Sequence, residues 1–347
     1  MKKKKKIGLI AGAVLATLLG VYIVSLYYFD ESKADKSLPN FLTAGKGAEN
    51  ADKDGWYEVF TDEFLGTELN SDIWTTSPHG LRKETNVQGD DIGYNSSYWC
   101  PSMVKVSDGM VEIRAEQQDN HVCVDGICPL TGRFTGGIET RKIAYSSQDE
   151  DITKGKSDDL LFAQAFGYFE ARVKFPDGPG AWSAFWLQSS NQRKLGNRGK
   201  DGTEIDVYES AFQKNPSVMG HALLWDGYGL PRSGVKGKPV DTGANLYGGF
   251  HTFGVKWTPD YYVFYIDGIA TWTTNAGGVS KVKQFLRLTV ELDEGDAWGP
   301  HGQQIGTFDP DNEYVFYVDY VKVYQNVKYA KYEKDDSYYK GSFSYVN

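Results

Sequence analysis

The residues of this chain best suited to chemistry lie in Thr203-Glu204-Ile205-Asp206-Val207-Tyr208-Glu209-Ser210. Ile, Val and Tyr favour an extended strand, whose side chains alternate between two faces. Strict alternation puts Glu204, Asp206 and Tyr208 on one face and Glu209 on the opposite, buried one. An isolated carboxylate in a protein interior is heavily penalised or gives up its charge. A β-bulge near Val207 or Tyr208 removes the conflict by turning Glu209 back beside Asp206. Carboxylates crowded on one face raise one another's proton affinity, so one can hold a proton while another stays charged. In retaining glycoside hydrolysis, two carboxyls about 5 to 5.5 Å apart divide the work in this way, one as nucleophile and one as acid/base. Glu204 and Glu209 suit these roles, with Asp206 between them holding or sharing a proton. A solvated acidic face on an amphipathic strand would account for the same three residues without any chemistry.

The neighbouring sequence favours the chemical reading. In Gly178-Pro-Gly-Ala-Trp-Ser-Ala-Phe-Trp-Leu-Gln188, alternation sets Trp182, Ala184 and Trp186 on one face of a second strand. Indoles beside carboxylates are the materials of a sugar cleft, because their flat apolar faces stack on pyranose rings. Trp182 reads as such a platform, and Trp186 as either platform or core. Other chemistries find little support. The chain has no Gly-x-Ser-x-Gly elbow and no Walker loop, and His79, His121, His221, His251 and His301 are scattered without metal-ligand spacing.

Strands must position these groups. From Trp56 to about Gln325 the chain runs in short alternating segments broken by Gly, Pro, Asn and Asp, the pattern of an all-β sandwich or barrel. In Gly167-Tyr-Phe-Glu-Ala-Arg-Val-Lys-Phe175, Phe169, Ala171, Val173 and Phe175 take the core face, and Tyr168, Glu170, Arg172 and Lys174 the wet one. Phe253–Trp257, a Thr-Pro-Asp turn and Tyr262–Gly268 read as a hairpin, and Tyr314–Tyr324 as another long strand. Helical periodicity is nearly absent and the strands are not spaced by helix-length segments, which argues against a parallel α/β sheet.

The chain has 347 residues with 50 aromatics, and 40% apolar content is enough for a large core. Lys2–Lys6 precede the first acid, Asp30, so of the formal charge of −9 the remainder of the chain carries −14. Such a surface does not suit phosphate backbones, and nucleic acid is excluded as a general partner. Ile7–Tyr28 is an uncharged run of 22 residues, about 33 Å as a helix and long enough for a bilayer core of about 30 Å. It reads as a transmembrane signal anchor over 7–28 behind a cytoplasmic basic stub, 1–6, because no Ala-x-Ala site ends it. The bulk of the chain is then extracellular, on the cell membrane, or secreted if the segment is cut. Residues 29–54, polar with hardly an aromatic, read as a flexible linker. Residues 55–326 form the catalytic domain and 327–347 a polar tail with no assigned role. Asp125-Gly126 would set Cys123 opposite Cys128 across a tight hairpin, leaving Cys100 unpaired; a bridge or three reduced thiols both fit.

Taken together these blocks resemble glycoside hydrolase family 16. The resemblance runs from Trp56 to Gln325 through Val59-Phe-Thr-Asp-Glu-Phe, Gly132-Arg-Phe-Thr-Gly-Gly-Ile-Glu-Thr-Arg141, Phe166-Gly-Tyr-Phe-Glu-Ala-Arg-Val-Lys, Trp182-Ser-Ala-Phe-Trp186, Glu204-Ile-Asp-Val-Tyr-Glu209 and Val318-Asp-Tyr-Val-Lys-Val-Tyr324. It implies a concanavalin-like β-jelly-roll sandwich of two curved antiparallel sheets, here preceded by one N-terminal transmembrane helix, with a cleft across the concave sheet. It implies Glu204 as nucleophile, Asp206 as its helper and Glu209 as acid/base, in the bulged spacing typical of laminarinase-like members. Glu170 and Arg172 look like cleft residues, and His221 looks like a histidine placed near the acid/base. Asp319 looks like the carboxylate of a structural calcium site on the convex side, with catalysis needing no cofactor.

The chain departs from the family in its loops. Asn191-Gln-Arg-Lys-Leu-Gly-Asn-Arg-Gly-Lys-Asp-Gly-Thr203 is basic and lacks an upstream Trp-Pro, and Glu84-Thr-Asn-Val-Gln-Gly-Asp-Asp91 differs from the usual substrate loop. Trp225 and Trp298 either border the cleft or pack at its rim. The expected activity is endo-hydrolysis of a polysaccharide, a β-1,3- or mixed β-1,3/1,4-glucan, by a monomer. A β-galactan, a sulfated galactan met by the basic loop, transfer to a sugar acceptor, or a non-catalytic lectin on the same scaffold remain as alternatives.

Overall fold

Alternation in Gly167–Lys174 sorts the side chains as the sequence implies, with Phe169, Ala171 and Val173 buried in the core and the intervening residues turned the other way, but on that second face Tyr168 and Glu170 are buried instead of wet. The computed structural model describes residues 29–76, 80–82, 97–120, 131–141, 160–210, 215–227, 233–292 and 308–342. Residues 36–347 form one compact unit, separate from residues 1–35. Within this unit the described strands make two sheets. The first follows the order Ile269–Thr274, Tyr262–Ile266, His251–Trp257, Gly167–Lys174, Tyr314–Asn326, Met110–Gln118, Gly132–Thr135, Ser97–Trp99 and Gly80–Arg82. Trp56–Asp62 adds to Tyr314–Asn326, and Val104–Ser107 to Met110–Gln118.

The second sheet follows the order Ser233–Lys236, Val218–Trp225, Glu204–Glu209, Ala181–Gln188, Phe285–Leu292, Gly137–Glu139 and Thr75–Thr76, with Val240–Asp241 on Val218–Trp225. Pairing is antiparallel except between Ser97–Trp99 and Gly132–Thr135, which run parallel. The expected hairpin forms, with Trp257 opposite Tyr262. Leu187, Ile205, Leu223 and Leu288 of the second sheet meet Phe169, Val255, Phe316 and Val321 of the first in one apolar layer. Burying a side chain of this kind contributes about 1.5–3 kcal/mol, and the layer holds the sandwich together. The acidic strand Glu204–Glu209 is an interior strand of its sheet, paired on both edges, so its backbone has little freedom to move.

The linker reading of 29–54 needs correction. Asp30 caps a short turn over Glu31–Lys33, but residues 36–54 form a strap bound to the first sheet. Lys256 Nζ donates to the Ser37 carbonyl at 2.5 Å and the Tyr265 hydroxyl to the Lys36 carbonyl at 3.1 Å. The Phe41 ring lies 5.6 Å from Tyr168 and 5.1 Å from Tyr324, Ala44 is buried, and Gly45 and Gly47 exchange backbone bonds with Glu58. Composition reports on side chains, whereas this strap is held mainly through its own carbonyls and one aromatic ring.

The C-terminal tail is also bound, as far as residue 342. Asn191 Nδ2 donates to the Asp336 carbonyl at 2.8 Å, Asn197 Nδ2 to the Lys340 carbonyl at 2.6 Å, and the Leu195 amide to the Ser342 carbonyl at 2.8 Å. The tail therefore braces the loop that leads into the acidic strand. The stub and the span expected over 1–28 lie outside the described residues, and among those described no helix is long and apolar enough to cross a membrane. Cys123, Cys128, Glu84–Asp91 and Trp298 also lie outside them; Cys100 is buried.

Candidate active site

Pairing across the acidic strand decides where its carboxylates point. On one side Asp206 lies opposite Ala222 and Glu209 opposite Gly220, so three steps on the acidic strand match two on its neighbour. On the other side Asp206 lies opposite Trp186 and Tyr208 opposite Phe185, with the same one-residue slip. This is the expected bulge, located at Val207. Val207 and Tyr208 consequently both turn into the core, where the Tyr208 ring packs 4.5 Å from Phe253 and 5.0 Å from Phe175. Glu204, Asp206 and Glu209 share the sheet's outer face. Tyr208 leaves the face that unbroken alternation would assign to it, since a bulge reverses every side chain beyond it.

The register also sets what surrounds the acids. Glu209 faces Ala184 and Gly220, and Asp206 faces Ala222 and Trp186. Small neighbours leave volume above the carboxylates, and the indole closes one end. Trp186 is 6% exposed, its Nε1 donates to Thr289 Oγ1 at 3.1 Å, and the Arg287 guanidinium lies 4.0 Å from the ring centroid. One indole face is therefore occupied by the protein's own cation. Trp182, on the same face and only partly buried, is the freer platform. Arg287 in turn contacts Glu139 at 3.0 Å, and Arg141 reaches Glu139 at 3.4 Å. This buried cluster next to the acids was missed in the sequence, although alternation in Phe285–Leu292 places Arg287, Thr289 and Glu291 on one face and could have revealed it.

Several expected site residues stand elsewhere. Glu170 and Arg172 belong to the first sheet and project from its outer face, away from the acidic strand. Glu170 accepts from the Tyr168 and Tyr320 hydroxyls at 2.5 and 2.8 Å. Two-residue alternation separated them from the core face, but it could not say which sheet owns that face, nor that Glu170, expected to be wet, is buried there at 6% exposure. Arg172 is bonded to Asp319. A guanidinium on the carboxylate supplies the positive charge that calcium would bring, so Asp319 as it stands does not fit a calcium ligand. Among the described residues no group of three or more His, Cys, Asp or Glu is placed to hold a metal ion.

His221 and Trp225 face the interior instead of the cleft. His221 is fully buried, and burial pushes its pKa down to about 4, so the ring is neutral. Trp225 joins the core cluster, with Gly277 so close above its indole that a Cβ there would come within 2.8 Å of the ring. Both sit at odd positions of Val218–Trp225, whose even positions, Gly220, Ala222 and Leu224, face the cleft.

The basic loop is engaged internally in part, with Arg198 and Lys200 exposed. Lys194 is 8% exposed and Arg198 lies 5.9 Å over the Trp225 ring. Asp201 is fully buried, accepts from Asn197 Nδ2 at 2.9 Å, and is pushed up to about 6 by desolvation. Asp336 of the tail is raised for the same reason, with Lys194 and Lys283 opposing the shift.

Fold and site together define a jelly-roll-like β-sandwich that carries a bulged row of three carboxylates on the outer face of one sheet. Residues 138–306 match the family model described as Glycosyl hydrolases family 16. Among curated relatives, it is 31% identical over 226 residues to the Endo-1,3-1,4-beta-glycanase ExsH of Rhizobium meliloti, covering 61% of this chain and 41% of that protein. It is 29% identical over 163 residues to the Beta-glucanase of Fibrobacter succinogenes, covering 46% of this chain and 43% of that protein. The chain thus spans about two fifths of the length of these relatives. Among solved structures, the catalytic domain of an endo-1,3-beta-glucanase (laminarinase) from Thermotoga petrophila superposes with a TM-score of 0.56 at 20% identity, covering 79% of this chain and 99% of that one. At that identity the match establishes the fold.

Proposed function

We propose that this protein is a retaining, endo-acting glycoside hydrolase that cleaves internal bonds of a β-1,3- or mixed β-1,3/1,4-linked glucan. The observation that carries the reading is the bulge at Val207, which returns Glu209 to the face shared by Glu204, Asp206 and Trp186. The names of the curated relatives supply the substrate class.

In the first step the Glu204 carboxylate attacks the anomeric carbon while the Glu209 carboxyl gives its proton to the departing glycosidic oxygen, leaving a glycosyl ester on Glu204. In the second, Glu209, now a carboxylate, takes a proton from water, whose oxygen attacks the same carbon and releases Glu204. Asp206, between the two, orients Glu204 and moderates its charge through each exchange. Trp182 stacks on a pyranose ring next to the scissile bond. A sulfated galactan is the weaker substrate, because Lys194 of the basic loop is buried near Asp201 and Asp336 and Arg198 lies over Trp225, which leaves Lys200 as the loop's exposed cation without such an internal contact. The charged stub and the uncharged run over 7–28 support export with the domain held at the outer membrane surface, where it acts as a monomer.

The test is a reducing-sugar assay of the chain from residue 29 onward on laminarin, mixed-linkage β-glucan, agarose, carrageenan and a β-galactan. Glu204→Gln and Glu209→Gln are each expected to lower kcat by at least about 10³-fold with thermal stability nearly unchanged. Proton NMR of the first-formed product is expected to show retained β-configuration. Near wild-type turnover in both variants, or an inverted product, would sink the assignment.

A further inference from the structure

The bulge that makes the site is itself a weak point of the sheet. Between the Asp206–Ala222 and Glu209–Gly220 pairs the ladder is interrupted, and the Val207 carbonyl needs a partner in a dry interior. That partner is His221. Its Nδ1 lies 2.6 Å from the Val207 oxygen, and its Nε2 lies 2.8 Å from Thr271 Oγ1 on strand Ile269–Thr274 of the opposite sheet. A carbonyl only accepts, so Nδ1 carries the proton, and in a neutral ring Nε2 then accepts from the Thr271 hydroxyl, whose single proton has the Phe264 carbonyl, 3.1 Å away, as its other acceptor. The imidazole also stacks on Phe264, with ring centroids 4.7 Å apart and planes at 29°. It is 0% exposed. The ring thus spans the core from the bulge in one sheet to a hydroxyl in the other.

We infer that His221 is a positioning residue for the acid/base: by donating Nδ1–H to the Val207 carbonyl while held from the opposite sheet by Thr271, it pins the bulge and so keeps Glu209 on the cleft face. The inference rests on the function proposed above and adds a residue that never meets substrate. A bulge displaced by one position would exchange Tyr208 and Glu209 between core and cleft. The ring that prevents this must be neutral at Nε2 and directional at Nδ1, which an apolar side chain of similar bulk cannot supply.

The test compares His221→Leu, which fills the space without a donor, with His221→Asn, whose amide N–H reaches toward the same carbonyl. His221→Leu is expected to lose kcat by about 10- to 100-fold with KM within about threefold of wild type, as follows from a misplaced catalytic group on an intact binding surface. The limb of its pH–rate profile set by the acid/base is expected to move. His221→Asn should recover most of kcat even if its Tm is no higher than that of the leucine variant. Equal losses in the two, or full kcat in folded His221→Leu, would overturn the inference. If His221→Leu does not fold, Thr271→Val, which keeps the ring and releases its anchor, is read by the same criteria. Should the wild-type protein cleave no polysaccharide of the panel, the functional reading fails separately. The brace is then judged by proton NMR, where a slowly exchanging downfield His221 Nδ1–H, lost in Thr271→Val, supports it, and a fast-exchanging one refutes it.

Discussion

Asp201 illustrates how a single carboxyl can carry a stability cost toward function. It lies at the end of the turn that delivers the chain into Glu204, fully buried, and desolvation raises its pKa to about 6. The folded state therefore binds its proton more tightly than the unfolded chain, so its contribution is most favourable below about pH 4 and is lost as pH rises through 6. Asp201→Asn, which keeps an acceptor for Asn197, is expected to raise Tm by a few degrees at pH 8, equivalent to roughly 1–3 kcal/mol, and to change little at pH 4. Thermal melts across that range check it, and an equal gain at both ends would show that titration is not the cause. The residue scale also separates what alternation could tell from what it could not. Glu204, Asp206 and Glu209 were legible because burying a lone carboxylate is costly enough to demand the bulge. His221 was misassigned because a histidine next to acids has the same signature whether it faces substrate or core.

At the scale of elements, the most informative pairing is between the C-terminal tail and the basic loop. Lys283 and Glu333 lie 3.6 Å apart, the Lys334 amide donates to the Lys281 carbonyl at 2.8 Å, and three further bonds tie residues 336–342 to residues 191–197. Most of these bonds are made by tail carbonyls, which explains why a tail without hydrophobic period has no readable role in sequence. Removal of residues 333–347 is expected to leave the two sheets intact, lower Tm by several degrees and speed amide exchange in 191–203 before any other segment. Hydrogen-exchange mass spectrometry checks this, and unchanged protection there would mean that the loop holds itself. Glu170 and Arg172 teach a related lesson: a strand's two faces are visible in its period, but which sheet it belongs to, and what covers its second face, depend on partners far away in sequence.

For the whole molecule, the unit that begins at Lys36 sets the smallest piece expected to behave as the full domain. A chain starting at Lys36 should match one starting at residue 29 in Tm and in turnover. A chain starting at Gly55 loses the Phe41 contacts with Tyr168 and Tyr324 and the carbonyls that pair Lys256 and Tyr265. With the strap gone, the sheet face that carries Lys256, Tyr168 and Tyr265, buried in the full chain, is uncovered to water and its apolar contacts with Leu38, Phe41 and Ala44 are lost. That chain is expected to unfold several degrees lower, or to aggregate. Differential scanning calorimetry of the three chains decides it, and identical melting would return residues 36–54 to the status of a tether.

Local chemistry carried much of this protein in its sequence alone. The two-residue period marked the strands, the cost of a buried carboxylate located the bulge, and ordered motif blocks carried the family resemblance, because each depends on neighbours within a few residues. Tertiary structure alone decided which sheet owns Glu170 and Arg172, that Arg172 pairs with Asp319, and that the strap and the tail are bound. It also placed His221 and Trp225 in the core. These are set by backbone carbonyls and by pairings between segments up to 274 residues apart, and neither composition nor periodicity encodes such partners.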